Sequence, residues 1–422
     1  MSQTDVEADA QTDGQDLEVV GDDTPEEARL RHEIRGWLEQ HAAEYGLAVS
    51  HVQFHDTKDY TDACRVWQAR LDQGGWGAPT WPVDHGGRGL SGTGARIIAE
   101  EQARWAVPIG AFAVGVAMVG PTLLTHGTPV QQQRLLAPLR RGEHVWCQLF
   151  SEPDAGSDLA SLRTRAVRDG DEWVVTGQKV WTSGARNADW GILLARTEPG
   201  SWRHQGITYF VVDMRTPGIE VRPLVQINRN AHFNEVHLDE VRIPGDQVIG
   251  EVGEGWTVAR TTLSAERVMI GSITLADRVE SLIEAARTSG RTDEPVLRQL
   301  LAQAWTRSSI LRWLGDRALA GARRGGRPGA EASVIKLGVS TFMAELGDLA
   351  MTVLGPEGML TGIGDDDEHA YGPLQDQFLG QWASRIGGGT EQIQRNLIGE
   401  AVLGLPREPR PTQPDLPQPK LN

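Results

Sequence analysis

Cysteine is scarce in this chain: Cys64 and Cys147 are the only two in 422 residues, far apart and in no metal-ligand spacing. That usage suits a reducing compartment, and neither a zinc nor an iron–sulfur site is expected. Lys and Arg form no tract, and the formal net charge is −16, so nucleic acid is a poor partner. No basic segment followed by an apolar one opens the chain. Met1 to Asp23 is acidic and polar, which reads as a disordered end rather than a signal or transit peptide. No Gly-x-Gly-x-x-Gly follows a strand-like run, which leaves a Rossmann nicotinamide site unsupported. Unbroken hydrophobic runs are missing too. Within the longest uncharged stretch, the segment Val107 to Leu124 is interrupted by Pro108, Gly110, Gly115, Gly120 and Pro121. Without basic flanks or an aromatic belt it reads as a buried core helix, and a cytoplasmic protein without a membrane span is expected.

What is present is enough apolar residue, 39%, for a sizeable core. It is arranged in three textures. From 24 to 143 the pattern is helical: Thr24 can cap a helix opening Pro25-Glu26-Glu27, and Leu30, Ile34, Trp37 and Leu38 recur at helical spacing. From 144 to 250, short runs such as Trp173-Val174-Val175 and Ile207 to Val212 alternate with turn signals such as Asp169-Gly170-Asp171, as in an all-β unit. Helical periodicity returns from 251 to 405, and a Pro-rich tail occupies 406–422. The expected fold class is α+β and multidomain: an N-terminal α-helical domain, a middle β-barrel or sandwich domain and a C-terminal four-helix bundle.

Residues at the joints sharpen that order. Leu149-Phe150-Ser151-Glu152-Pro153-Asp154-Ala155-Gly156-Ser157-Asp158 is followed about 25 residues later by Gly177-Gln178-Lys179-Val180-Trp181-Thr182-Ser183-Gly184. Phe233-Asn234-Glu235-Val236 precedes Val241-Arg242-Ile243-Pro244, and Gly387-Gly388-Gly389-Thr390-Glu391-Gln392-Ile393-Gln394-Arg395-Asn396 lies near the end. Upstream are Gly75-Trp76-Gly77-Ala78-Pro79-Thr80-Trp81-Pro82 and Val119-Gly120-Pro121-Thr122-Leu123-Leu124-Thr125-His126-Gly127. In order and spacing, over residues 28–408, these segments resemble the acyl-CoA dehydrogenase family.

The resemblance implies oxidation of a Cα–Cβ bond next to a thioester carbonyl. Such a reaction needs a base for the α-proton, an acceptor for the β-hydride and donors for the charge on the thioester oxygen. No side chain accepts hydride; by resemblance the acceptor is FAD, held between the β domain and the C-terminal helices. The resemblance assigns Gln148, Phe150 and Ser151 to the flavin ring by backbone contact, Trp181 to its flank and Ser183 to the neighbourhood of N5. Ser157 falls to the pantetheine or phosphate part of the substrate. Thr390, Gln392 and Gly355 fall to FAD, Gly355 facing that of a neighbouring subunit. Where family members carry Arg-x-x-Phe-Gly, this chain has Arg287-Thr288-Ser289-Gly290-Arg291 without the Phe; Arg291 is the cofactor candidate, with Arg287 open beside it.

The base departs from the commoner family pattern. The position just before Gly-Thr of the last motif, often a catalytic glutamate, is Gly388. Gly388 and Gly389 keep backbone N–H groups that can serve the thioester carbonyl. The alternative family base, early in the C-terminal domain, corresponds to Glu266 in Leu263-Ser264-Ala265-Glu266-Arg267, with Arg267 on the substrate side. A desolvated carboxylate there would have a raised pKa suited to proton abstraction. Glu391 and the acidic run Asp365 to Glu368 are weaker alternatives for the base. The resemblance implies an acyl-CoA or acyl-carrier-protein thioester substrate, an electron-transferring flavoprotein as oxidant, and a homo-oligomer or a heteromeric partner chain. A non-catalytic subunit of a heteromeric enzyme and a flavin oxidase or monooxygenase are the alternative readings. Small side chains in Ile109 to Met118 could border the acyl pocket and leave room for bulk, or equally belong to a tightly packed helix.

Overall fold

The structure, a computed structural model, describes residues 23–46, 57–271, 275–323, 331–360 and 372–407. The expected disordered N-terminus and nearly all of the Pro-rich tail lie outside them, as does Asp365 to Glu368. Helix α1 (Pro25–His41) starts where the sequence signals it. The Glu27 N–H donates to Thr24 Oγ1 at 3.3 Å while the Thr24 N–H donates to Glu27 Oε2 at 2.9 Å, a reciprocal capping box. Its buried face, Ile34 and Leu38, meets Trp67 and Leu71 of α2 (Lys58–Gln73) and Ile97 and Ile98 of α3 (Gly92–Gln102).

The stretch expected to be a core helix is helical without a break from Gly110 to His126. It runs as a 3-10 turn at Gly110–Phe112, a π segment at Gly115–Val119 and α4 (Gly120–His126), before α5 (Pro129–Arg140). Of the two readings of Ile109 to Met118, Gly115 fits the tightly packed helix, and so does Gly120 just beyond it. A Cβ on Gly115 would come within 2.4 Å of Leu139 Cδ1, and one on Gly120 within 2.0 Å of the Trp81 ring. Both spaces are filled by neighbours, and the Trp81 indole N–H donates to the Val116 carbonyl at 3.1 Å.

The middle of the chain forms one seven-stranded sheet: β1 (Trp146–Leu149), β2 (Arg165–Asp169), β3 (Glu172–Ser183), β4 (Trp190–Arg196), β5 (Ile207–Asp213), β6 (Ile219–Leu224) and β7 (Phe233–Pro244). The order is β1-β4-β2-β3-β7-β6, with β5 antiparallel to β4 and β1 parallel to it. Strand β4 is buried on both faces. Ile192 and Leu194 join a core shared with Trp81, Phe112, Val119 and Leu139, while Leu193 and Ala195 join one with Trp173, Phe210 and Val236.

Among the described residues six α-helices follow the sheet: α6 (Gly255–Gly271), α7 (Ala276–Thr288), α8 (Pro295–Arg323), α9 (Glu331–Leu354), α10 (Pro373–Ile386) and α11 (Glu391–Ala401). Val279, Leu282, Leu297, Leu301, Phe342 and Leu346 form the bundle core. Among the described residues one helix, Ala332–Met359, is long and apolar enough to cross a membrane. Here its Ile335, Val339, Phe342, Leu346, Ala350 and Val353 are buried in that bundle core. The expected helical–β–helical class is what the structure shows, with a single curled sheet as its middle part.

Candidate active site

Glu266 lies in the interior of α6. It is partly exposed, with protein packed around most of it. Burial pushes its carboxyl above the usual carboxylate range, against a hydrogen bond from the Gln148 side chain and the charges of Arg267 and Lys336. Only the ionised form can take a proton, so the activity it supports falls as the pH drops through this raised value. Since the Gln148 bond favours the carboxylate, Gln148→Leu is expected to move the acid limb of the rate profile to higher pH. Rates of flavin bleaching measured across pH check this, and an unmoved limb would detach Gln148 from the base.

Lys336 was not a sequence candidate. It is 0% exposed on α9, and its ammonium donates to the Gly389 carbonyl at 2.7 Å and the Ser384 carbonyl at 3.1 Å. Ser340 Oγ donates to the same Ser384 carbonyl at 2.9 Å. The last motif is therefore pinned from beneath, with Gly388 at φ 64 and Gly389 at φ 91, angles that favour glycine. Among the described residues neither glycine donates its N–H to a protein acceptor, so this loop still has donors to offer. A lone lysine within Val334-Ile335-Lys336-Leu337 was the only sequence signal.

The two flavin-side motifs also come together. The Val180 N–H donates to the Ser151 carbonyl at 2.9 Å, joining the segment Gln148 to Ser151 to β3. The β3–β7 register breaks between Lys179 and Thr182, and Trp181 occupies the break at φ 61, 60% exposed. A left-handed tryptophan is uncommon and costs about 1–3 kcal/mol. The strain holds a flat indole face out of the sheet, with Phe233 edge-on at 5.9 Å. A planar aromatic surface presented this way fits the flank of a flavin ring. Phe150 is buried and Ser183 exposed beside this bulge.

The remaining candidates divide between this region and others. Arg291 and Gly355 meet at the C-terminal end of α9, where Arg291 NH1 donates to the Thr352 and Val353 carbonyls at 2.7 and 2.8 Å and Nε pairs with Glu294 at 2.6 Å. By helical rise this is about 28 Å along α9 from Lys336, too far to share its site. Arg287 pairs with Glu284 on the surface. Thr390 caps α11, accepting the Ile393 N–H at 3.3 Å, and Gln392 is exposed. Ser157 is exposed on the loop after β1. Arg267 is partly buried next to Glu266, with burial drawing its pKa down against that charge. Glu391 is buried, but Arg385 pairs with it at 2.6 Å and holds it below the usual range, which makes it a poor base.

A largely enclosed carboxylate on α6, a glycine loop held by Lys336 and a tryptophan raised on a β-bulge are the features a helical–β–helical oxidoreductase without a Rossmann fold can use. The comparisons agree. Residues 24–143, 147–241 and 253–403 match the N-terminal, middle and C-terminal domains of acyl-CoA dehydrogenase. The acyl-CoA dehydrogenase IpdE1 of Mycobacterium tuberculosis (strain ATCC 25618 / H37Rv) is 41% identical over 390 residues, covering 90% of this chain and 98% of that protein. Among solved structures, the Tcur3481–Tcur3483 steroid ACAD (acyl-CoA dehydrogenase) superposes with a TM-score of 0.78 at 28% identity, covering 92% of this chain and 99% of that one. The ChsE4–ChsE5 complex from Mycobacterium tuberculosis gives 0.76, at 28% identity and the same coverage. The chain belongs to the acyl-CoA dehydrogenase family and is an FAD-dependent oxidoreductase.

Proposed function

We propose that this chain removes two hydrogens across Cα–Cβ of an acyl thioester to give the trans-2-enoyl product, with Glu266 as the base. The observation that carries this is the carboxylate itself: desolvated, hydrogen-bonded by Gln148 and flanked by Lys336, which also holds the glycine loop. Glu266 takes the α-proton. The N–H groups of Gly388 and Gly389 are the donors we assign to the thioester carbonyl, whose oxygen gains charge as the proton leaves. Lys336 keeps that loop in place, and Gln148 orients the carboxylate. Bound FAD supplies the acceptor for the β-hydride.

A ring-bearing acyl group heads the substrate candidates, because the steroid ACAD is so named and resembles this chain over nearly its whole length. An electron-transferring flavoprotein is the oxidant we assign, and the Arg291–Gly355 corner is the surface we assign to a neighbouring subunit. The second reading, a half-site subunit of a two-chain enzyme, is favoured by Gly388 and by relatives solved as complexes of two named chains. The test is anaerobic mixing of the purified chain with straight, branched and ring-bearing acyl-CoAs and carrier-protein thioesters. A yellow protein bleached by at least one of them supports the dehydrogenase. A colourless protein, or one that none of them bleaches, favours the half-site subunit.

A further inference from the structure

Three hydroxyls sealed from solvent meet one helical turn behind the base. Tyr209 on β5 and Thr262 on α6 are 0% exposed, and Thr122 on α4 is 1% exposed. Thr262 Oγ1 lies 2.9 Å from Thr122 Oγ1 and 3.1 Å from the Tyr209 hydroxyl, and Thr122 Oγ1 lies 2.8 Å from the Met118 carbonyl. Each hydroxyl has a single proton to give. The carbonyl can only accept, so Thr122 donates to Met118 and accepts from Thr262, which in turn accepts from Tyr209. The order Tyr209 to Thr262 to Thr122 to Met118 uses every proton once. The other acceptor for Thr262, the Val258 carbonyl, is at 3.5 Å, at the limit of a hydrogen bond.

This chain ties α6 to two different elements: the central sheet and the π segment that contains Met118. A second polar contact runs beside it, with His126 Nε2 at 2.8 Å from Thr261 Oγ1. Thr262 precedes Glu266 by four residues, so the two side chains lie on one face of α6. On that face Thr262 is anchored to β5 and Glu266 meets Gln148 on β1, both strands being paired to β4. Apolar packing alone leaves a helix free to rotate or slide slightly. Directional hydrogen bonds in a dry core do not, because breaking one strands a buried polar group.

We propose that Tyr209, Thr262 and Thr122 are positioning residues for the dehydrogenation: their hydroxyl chain sets the rotation and depth of α6 and thereby the place of the Glu266 carboxylate. The proposal rests on Glu266 being the base. Thr262→Val keeps the volume and removes the central link. Its kcat for substrate-driven bleaching is expected to fall about 10- to 100-fold, the scale of a misplacement near 1 Å, with KM moving much less. Thr262→Ser should recover most of the rate, and Tyr209→Phe should show a smaller fall in the same direction. Slack in α6 weakens the Gln148–Glu266 bond, so the acid limb should also move to higher pH in Thr262→Val. FAD content and melting temperature are measured on the same samples. Wild-type kcat and pH profile in Thr262→Val overturn the proposal, and so does a lowered melting temperature with kcat unchanged. If Thr262→Val does not fold, Tyr209→Phe is read by the same criteria. A Glu266→Gln variant bleached at the wild-type rate would remove the base assignment and this proposal together. Loss of bleaching in Glu266→Gln with full activity in Thr262→Val would remove the proposal alone.

Discussion

Glu266→Gln is expected to stay yellow and folded while acyl thioester bleaches it about 10²–10⁴-fold more slowly than the parent, the usual contribution of a positioned general base. Gln is isosteric and can still accept a hydrogen bond from Gln148 through its carbonyl oxygen, so the site should keep its shape. It also removes a carboxylate that burial disfavours, so the variant should melt no lower than the parent. Gln cannot take up a proton at any accessible pH. The loss should therefore be flat across pH, unlike the Gln148→Leu variant, whose rate recovers once the raised carboxyl ionises. Stopped-flow absorbance of the flavin under anaerobic conditions measures both. A variant bleached at the parent rate would take Glu266 out of the chemistry and return attention to the half-site reading. Arg385 already occupies Glu391, which leaves that residue ill placed to substitute.

Much of this fold shows in local sequence. Thr24 and Glu27 cap each other three positions apart, so the start of α1 is written in the four residues Thr24-Pro25-Glu26-Glu27. Strand β3 can be read from the run beginning Trp173-Val174-Val175 and the turn before it. Glu266 was accessible because Glu-Arg on an apolar helix is part of the family resemblance. The supports around it were not. Lys336 meets carbonyls 48 and 53 residues away, and Thr122 meets Thr262 across 140; no local pattern encodes such pairings. The small residues of Ile109 to Met118 left two readings open, an acyl pocket or a tightly packed helix, and the packing decides for the second at Gly115. The space beside Gly115 belongs to Leu139, and that beside Gly120, just past the stretch, to Trp81; only packing shows which residue fills a gap.

Lys179→Met should be the most damaging single change outside the site. Lys179 is 0% exposed, and its ammonium donates to Glu152 Oε1 at 2.8 Å and to the Phe150 carbonyl at 3.0 Å. Burial pushes this lysine down to about 8, so it is still charged at neutral pH. Burial would raise Glu152, but the Lys179 charge beside it prevails and holds the carboxyl below its usual range. Glu152 also accepts the N–H groups of Arg163 at 2.6 Å and Thr164 at 2.9 Å. Removing the cation strands a buried carboxylate, at a cost of about 3–5 kcal/mol. The double variant Glu152→Gln/Lys179→Met should regain part of that, because no buried charge remains. Thermal melts of the three proteins measure the effect, and a single variant melting with the parent would show that the pair contributes nothing. FAD retention on gel filtration should fall as well. Lys179 joins the Phe150 carbonyl to the strand that bulges at Trp181 two residues later, and without it the two segments proposed to face the flavin lose their common anchor.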